Sequence, residues 1–324
     1  MSDHECNVAI IGAGNMAREH IRAFQDIPGV NITGIHSRTQ SRAKALADEF
    51  HIDGVYDSIP ELYKKTHADL AVVTVFELAM KSVSVACFEY PWTTLLEKPA
   101  GYTVKDAEEI RTSAHKNQNN AIIALNRRFM SSTRSVQDAL ARQSDMRFIK
   151  IQDQEDQSRA RDAGQPSAVV DNWMYANSIH IIDYFQIFGR SNVTCVKPIV
   201  PWNPIQPGVV IASLEYENGD IGLYEGIWNG PSPWGVCVST PKNRWELRPL
   251  EKASVQERNL RVAEMLPVHP WDETYKPGFR LQAEHAVLQA LGKPSESPTL
   301  DDAMITMKII EAIFTTGKKE IVLS

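Results

Sequence analysis

Two glycines and an alanine interrupt an apolar run near the N-terminus: Asn7-Val8-Ala9-Ile10-Ile11-Gly12-Ala13-Gly14-Asn15-Met16-Ala17. The run reads as a strand and the residues after it as a helix. In that setting the first glycine permits a tight turn, the second keeps a side chain away from an approaching phosphate, and Ala17 lets helix and strand pack closely. Unpaired N–H groups and a partial positive charge at the helix start suit an anion. The chemistry these residues point to is dinucleotide binding by Gly12, Gly14, Asn15, Met16 and Ala17. Sheets that take NAD have an acidic residue about 20 positions further on for the ribose 2′-hydroxyl. Here the segment is Ile35-His36-Ser37-Arg38-Thr39, without a carboxylate. Arg38 offers a guanidinium to a 2′-phosphate, and Ser37 and Thr39 add hydroxyls, so NADP is the expected cofactor. NAD stays open, because arginine stacked on adenine serves either one.

The elements that position these residues alternate. Met16 to Phe24, Ser41 to Phe50, Met80 to Phe88 and Val104 to His115 read as helices; Val30 to His36, Leu70 to Val75, Thr93 to Leu96 and Ala121 to Leu125 read as strands. Such alternation builds an α/β Rossmann domain, placed at residues 1–126, with ligands at the carboxyl ends of its strands. Beyond Asn126 the pattern changes to a helix and longer alternating strands (Arg147 to Gln154, Val209 to Tyr216, Gly222 to Trp228, Val236 to Thr240) with turns such as Glu217-Asn218-Gly219-Asp220. This predicts an α+β domain over 127–324 with a large, mainly antiparallel, open-faced sheet. Trp173 to Phe188 reads as one helix ended by Gly189, with Asn177, His180 and Tyr184 on a shared face.

Leu95-Leu96-Glu97-Lys98-Pro99 follows the fifth strand, Asn126-Arg127-Arg128-Phe129 closes the first domain, and Ser178-Ile179-His180-Ile181-Ile182-Asp183 lies in the second. With the glycine turn, these motifs make nearly the whole chain resemble the glucose-fructose oxidoreductase, inositol dehydrogenase and rhizopine catabolism family. The resemblance implies a nicotinamide cofactor, a sugar, polyol or sugar-nucleotide substrate, a homodimer or homotetramer paired through the open sheet, and a cis bond before Pro99. Glu97 and Lys98 would then lie beside the nicotinamide. The Lys98 ammonium could hydrogen-bond a substrate hydroxyl as hydride leaves or arrives, and His180 could carry the hydroxyl proton.

The chain departs from that family at two places. Aspartate commonly stands four residues before the histidine, where this chain has Ala176, and the segment Thr74-Val75-Phe76-Glu77-Leu78-Ala79 lacks the usual Thr-Pro-Asn. Tyr175 would donate a proton only if Lys98 lowered its pKa, and Asn177 can bind a hydroxyl but not take a proton. Arg128, with Arg127, could hold a substrate phosphate or carboxylate or form salt bridges between domains. Trp228, Trp234 and Trp271 could stack on a sugar or fill the core, and Tyr275-Lys276-Pro277-Gly278-Phe279 has the chemistry of a loop that closes over substrate.

In 324 residues with 43% hydrophobic content, 34 basic residues face 40 acidic ones for a net charge of −6. No like-charge block or long apolar stretch invites nucleic acid or membrane. Met1 to Cys6 lacks the pattern of a signal peptide, and Cys6, Cys87, Cys195 and Cys237 have no paired spacing, so a cytoplasmic protein with reduced thiols and no metal is expected. The function these readings favour is hydride transfer between a nicotinamide and a secondary alcohol or ketone of a carbohydrate-like substrate. The alternatives are a dinucleotide-binding sensor without turnover and an imine or biliverdin-type reductase of the same architecture.

Overall fold

The short apolar runs of the first half become parallel strands because each is followed by a helix with one apolar stripe, which returns the chain to the same edge of the sheet. The computed structural model describes residues 5–323. Residues 1–4, read above for a leader peptide, lie outside the described residues. In chain order come β1 (Cys6–Ile11), α1 (Asn15–Gln25), β2 (Val30–His36), α2 (Gln40–Phe50), β3 (Val55–Tyr56), α3 (Ile59–Thr66), β4 (Leu70–Val73), α4 (Glu77–Cys87), β5 (Thr93–Glu97), α5 (Val104–Lys116) and β6 (Ala121–Ala124). They form a six-stranded sheet in the order β3-β2-β1-β4-β5-β6. Strands β4, β5 and β6 are buried at every position, as expected for a parallel sheet covered on both faces. Ser58 and Thr103 cap α3 and α5 by accepting hydrogen bonds from the N–H groups of Glu61 and Asp106.

The next stretch contains α6 (Ser131–Ala141), β7 (Phe148–Glu155), α7 (Gln157–Asp162), α8 (Ser167–Asp171), α9 (Ile179–Ile182), α10 (Tyr184–Phe188), β8 (Val193–Val200), β9 (Val209–Tyr216), β10 (Ile221–Trp228), β11 (Gly235–Ser239), β12 (Asn243–Leu247), β13 (Ala253–Glu257) and β14 (Glu264–Met265). The chain continues through α11 (Pro270–Thr274), α12 (Phe279–Ala290), α13 (Leu300–Ile313) and β15 (Ile321–Val322). Strands β7 to β15 make a nine-stranded sheet in the order β14-β13-β12-β11-β7-β10-β9-β8-β15. Only the β7–β10 pair is parallel among its described pairings. Alternate residues of β7, β9 and β10 are buried while those between are more exposed, so one face packs under helices and the other stays open. The predicted turn before β10 is held by Asp220, which accepts hydrogen bonds from the Arg147 N–H at 2.8 Å and from Arg190 Nη2 at 2.6 Å.

The chain divides into two compact units, and here the division departs from the sequence reading. The described residues up to Phe129 are joined by Pro270–Met304, while Met130–His269 and the residues from Ile305 onward make the second unit. The stretch 127–324 is therefore not one continuous domain. The cause is an apolar stripe on α12: Phe279, Ala283, Ala286 and Val287 enter the same core as Val8, Ile10, Ala17, Ile21 and Phe24. Just beyond it, the Ile123 N–H donates to the Pro298 carbonyl at 2.8 Å, which occupies the edge of β6.

The expected helix from Trp173 to Phe188 is also broken. Met174–Ser178 forms one wide π turn, and α9 and α10 follow it. Trp173 Nε1, Asn177 Nδ2 and Ser178 Oγ all donate to the Glu155 carboxylate, at 2.7, 2.9 and 3.2 Å to the nearer oxygen. Gathering three donors from so short a stretch on one buried group favours a turn wider than 3.6 residues. Asn177, His180 and Tyr184 accordingly do not act as one face, and the Tyr184 hydroxyl pairs with Thr133 at 2.8 Å.

Candidate active site

The two glycines of the first turn have different reasons to be glycine. Gly12 has φ +111°, and a Cβ there would lie 2.6 Å from Thr74 Oγ1 and 2.7 Å from the Thr74 carbonyl oxygen. It is required by the close approach of β1 and β4. A Cβ on Gly14 would meet nothing within 4 Å. Gly14 is the exposed cap residue of α1; no side chain caps that helix and no acidic residue occupies its first turn. The turn thus presents backbone N–H groups and a cradle that any side chain would begin to fill, which fits a dinucleotide pyrophosphate. Asn15 is exposed beside it and Ala17 is fully buried against the core.

At the end of β2, Arg38 is exposed and lies 5.8 Å from the centre of the Phe76 ring, itself 45% exposed. The Thr39 N–H donates weakly to Ser37 Oγ at 3.4 Å. Phe76 comes from the segment whose altered residues stood out in the sequence; the fold turns that departure into an aromatic support for the guanidinium.

Beyond β5 the Lys98–Pro99 bond is cis, as the resemblance implies. Glu97 is buried, and its two oxygens have separate tasks. Oε1 pairs with His20 Nε2 at 2.8 Å, and Oε2 accepts the Lys98 N–H at 3.1 Å. Burial pushes the Glu97 carboxyl upward, but the His20 hydrogen bond, with the charges of His20, Lys98 and Lys276, outweighs it and holds the group below the ordinary carboxylate range. Lys98 is shifted in the opposite sense. Burial, then the neighbouring Arg127 and Lys276 cations, lowers it below an ordinary lysine despite Glu97 and Glu77. Nothing in the sequence pointed to His20, a residue 77 positions from Glu97. Lys276, from the segment read as a substrate-closing loop, is a second partner: its Nζ lies 3.1 Å from Met16 Sδ and 5.0 Å from the centre of the Phe279 ring. The loop bearing it is pinned where Asn126 Nδ2 donates to the Pro277 carbonyl at 2.9 Å. Arg127 and Arg128 follow Asn126 and are half-buried. The first unit therefore brings together the glycine turn, Glu97, Lys98, Arg127 and Lys276.

Tyr175, Asn177 and His180 stand together on the second unit, around the wide turn. His180 is 9% exposed. The condition set for Tyr175 as a proton donor, a phenol acidified by Lys98, is not met, because burial and then Glu311 push the phenol above its usual range. Asn177 is occupied by Glu155. Trp228 packs at a tilt against Trp202 and edge-on against Phe314 in the core, Trp234 Nε1 donates to Asp153 at 2.5 Å, and Trp271 lies under the Arg280 guanidinium at 4.4 Å. None of the three is left as an open sugar platform. Among the described residues no cluster of His, Cys, Asp and Glu could hold a metal, and no helix is long and apolar enough to cross a membrane.

Asp153 and Glu155 are successive inward residues of β7 and are both buried. Burial raises both carboxyls, and repulsion from Asp153 raises Glu155 further. Groups raised in the folded state stabilise it fully at and below the ordinary carboxylate range, and this contribution is lost as pH climbs above that range. Glu155→Gln retains an acceptor for Asn177 and adds a donor toward Asp153. We expect it to raise the denaturant midpoint at mildly alkaline pH and to change it little near about pH 4; equal shifts at both pH values would contradict this assignment.

The strand order and the glycine turn define a Rossmann sheet of the dinucleotide-binding kind. Residues 6–125 match the model of the GFO_IDH_MocA family, described as an oxidoreductase family with an NAD-binding Rossmann fold. The chain is 21% identical over 236 residues to 4-carboxy-2-hydroxymuconate-6-semialdehyde dehydrogenase of Sphingobium sp., covering 71% of this chain and 74% of the relative. It shares its fold with the aldose-aldose oxidoreductase of Caulobacter crescentus, at TM-score 0.82 and 15% identity over 99% of this chain and all (100%) of that one. It also shares its fold with an oxidoreductase of Agrobacterium radiobacter solved with NAD+, L-tartaric acid and magnesium, at TM-score 0.76 and 15% identity over 98% of both chains.

Proposed function

We propose that this protein is an NADP-dependent dehydrogenase or reductase acting in the cytoplasm on a secondary alcohol or ketone of a sugar, polyol or sugar derivative. The observation that carries this reading is Lys98: a lysine directly after β5, its backbone N–H held by Glu97, its ammonium disfavoured by burial and by neighbouring cations. Such a group can give up and regain a proton near neutral pH more readily than an ordinary lysine. The nicotinamide, when bound, supplies the hydride acceptor or donor. Lys98 hydrogen-bonds the reacting oxygen and stabilises its developing charge. Gly12, Gly14, Asn15, Met16 and Ala17 hold the pyrophosphate, Glu97 orients Lys98, and Ser37, Arg38 and Thr39 hold the adenosine end. His180 exchanges the hydroxyl proton with solvent, Arg128 and the amide oxygen of Asn177, whose nitrogen is held by Glu155, orient the substrate, and Tyr175 stays a neutral phenol that donates without releasing its proton. The aldose-aldose oxidoreductase of like fold supports this substrate class. The free cysteines support a reducing compartment, and the open sheet face supports a homodimer or homotetramer.

Calorimetric titration with NADP and NAD, followed by nicotinamide absorbance on a panel of aldoses, polyols and hydroxy acids, tests the proposal. NADP should bind more tightly, and Arg38→Ala should weaken it by about 1.5–3 kcal/mol, roughly tenfold to a hundredfold, while affecting NAD less. Tighter NAD binding would overturn the cofactor preference. Ala176, in place of the family's aspartate, favours a sensor as the competing reading; tight binding without absorbance change on any substrate would select it.

A further inference from the structure

We infer that His20 is a positioning residue for the Lys98 site, acting through Glu97. The inference rests on the proposed role of Lys98. His20 lies on the buried face of α1, opposite the exposed glycine turn, and is 0% exposed. Its ring is set 4.8 Å from the Phe279 ring and 6.3 Å from that of Phe24. Its one hydrogen bond among the described residues runs from Nε2 to Glu97 Oε1 at 2.8 Å, and Nδ1 has no partner there. A core position between two phenylalanines would take a hydrophobic side chain without leaving a buried nitrogen unpaired, so packing alone does not account for an imidazole.

What the imidazole does is hold a carboxylate. With Oε1 fixed by His20, the other oxygen of Glu97 is directed at the Lys98 N–H, 3.1 Å away. The chain runs from α1 to β5 to the backbone from which Lys98 projects; His20 and Glu97 are buried and Lys98 is half-buried. The charged groups that face this chain are Glu97, Glu77, Arg127 and Lys276 around Lys98, and Lys98 and Lys276 around Glu97. Arg127 and Lys276 disfavour the Lys98 ammonium, and Glu97, ahead of Glu77, is the larger of the two anions that offset them. Loss of the His20 hydrogen bond should move Glu97 toward its neutral form. Lys98 would then release its proton at lower pH, and its backbone would be less firmly placed.

The test compares His20→Leu, His20→Gln, Glu97→Gln and Lys98→Ala with the wild-type enzyme by steady-state turnover across pH and by coenzyme titration. The inference expects His20→Leu to lower kcat roughly tenfold to a hundredfold, to shift the pH break to lower values, and to leave coenzyme affinity unchanged. His20→Gln, which can still donate to Glu97, should recover most of the rate. Should His20→Leu not fold, Glu97→Gln must show the same downward shift of the break. A folded His20→Leu with the wild-type rate and break, or a Glu97→Gln with the wild-type break, overturns the inference. Unchanged turnover in Lys98→Ala would instead remove the reading on which it rests.

Discussion

Replacing Lys98 with methionine should slow hydride transfer by roughly 10²–10⁴-fold, the range of a lost acid–base or charge-stabilising group. Coenzyme binding should stay at its wild-type level. Methionine keeps an unbranched side chain of similar length, so packing beside Pro99 changes little. What disappears is the ammonium, and its loss should not destabilise the fold. A base whose folded pKa is lowered costs stability at every pH below that pKa, because folding must bury its charge; that cost vanishes in the variant. Glu97 loses one favourable neighbour but keeps the His20 hydrogen bond. The expected pattern is therefore a rate that collapses in a protein at least as stable as the wild type, as occurs where function and stability compete. Single-turnover absorbance, calorimetric coenzyme titration and thermal denaturation together check it. A variant with full turnover removes Lys98 from the chemistry, and one with lost coenzyme affinity reassigns it to binding.

The second large effect separates the two glycines. Gly12→Ala puts a methyl group within 2.9 Å of three Thr74 atoms, two of them backbone, at φ +111°. Neither neighbour can yield, since the Thr74 N–H is bonded to the Ile11 carbonyl at 2.7 Å and the Gly12 N–H to the His36 carbonyl at 2.8 Å. Strain and collision together should cost about 2–6 kcal/mol, a large part of a typical domain's 5–15 kcal/mol. Gly14→Ala meets open space and an ordinary φ of −100°, so it should fold like the wild type. It should nevertheless bind coenzyme at least tenfold more weakly, because the methyl group occupies the phosphate cradle. Denaturant titration and calorimetry distinguish the two. Equal destabilisation in both variants, or unchanged coenzyme affinity in Gly14→Ala, would refute this division of roles.

How far the sequence discloses such a site depends on the range of the interactions that make it. β2 is read residue for residue, Val30–His36, because a buried strand after a helix is a local pattern. Gly12, Gly14 and Lys98 are legible for the same reason: turn chemistry and strand ends are local. The His20–Glu97 pair is not, since nothing local distinguishes a histidine on an apolar helix face from a structural one until β5 is laid beside α1. The loop of Lys276 was legible as a turn, but the approach of its ammonium to Met16 was not, because 260 residues separate the two. The wide turn at Met174–Ser178 was missed because the force that opens it comes from Glu155, on another element. A partial signal did exist there: in Ile149-Lys150-Ile151-Gln152-Asp153-Gln154-Glu155 the apolar alternation runs on into two carboxylates, placing them on the inward face of the sheet. The altered pKa of Tyr175 depends on burial and on Glu311, which no reading of the tripeptide around it could supply.

The return of Pro270–Met304 to the first unit bears on how the protein is made. While the ribosome is still translating the large sheet, the nucleotide-binding half lacks Phe279, Ala283, Ala286 and Val287, so the side of α1 they cover stays wet and its core unfinished. Domains generally fold as units, the earlier-emerging one first. Here the half that emerges first must wait for residues synthesised after strands β7 to β14 before it can close, and a nascent chain stalled between the two would display apolar surface to the chaperones.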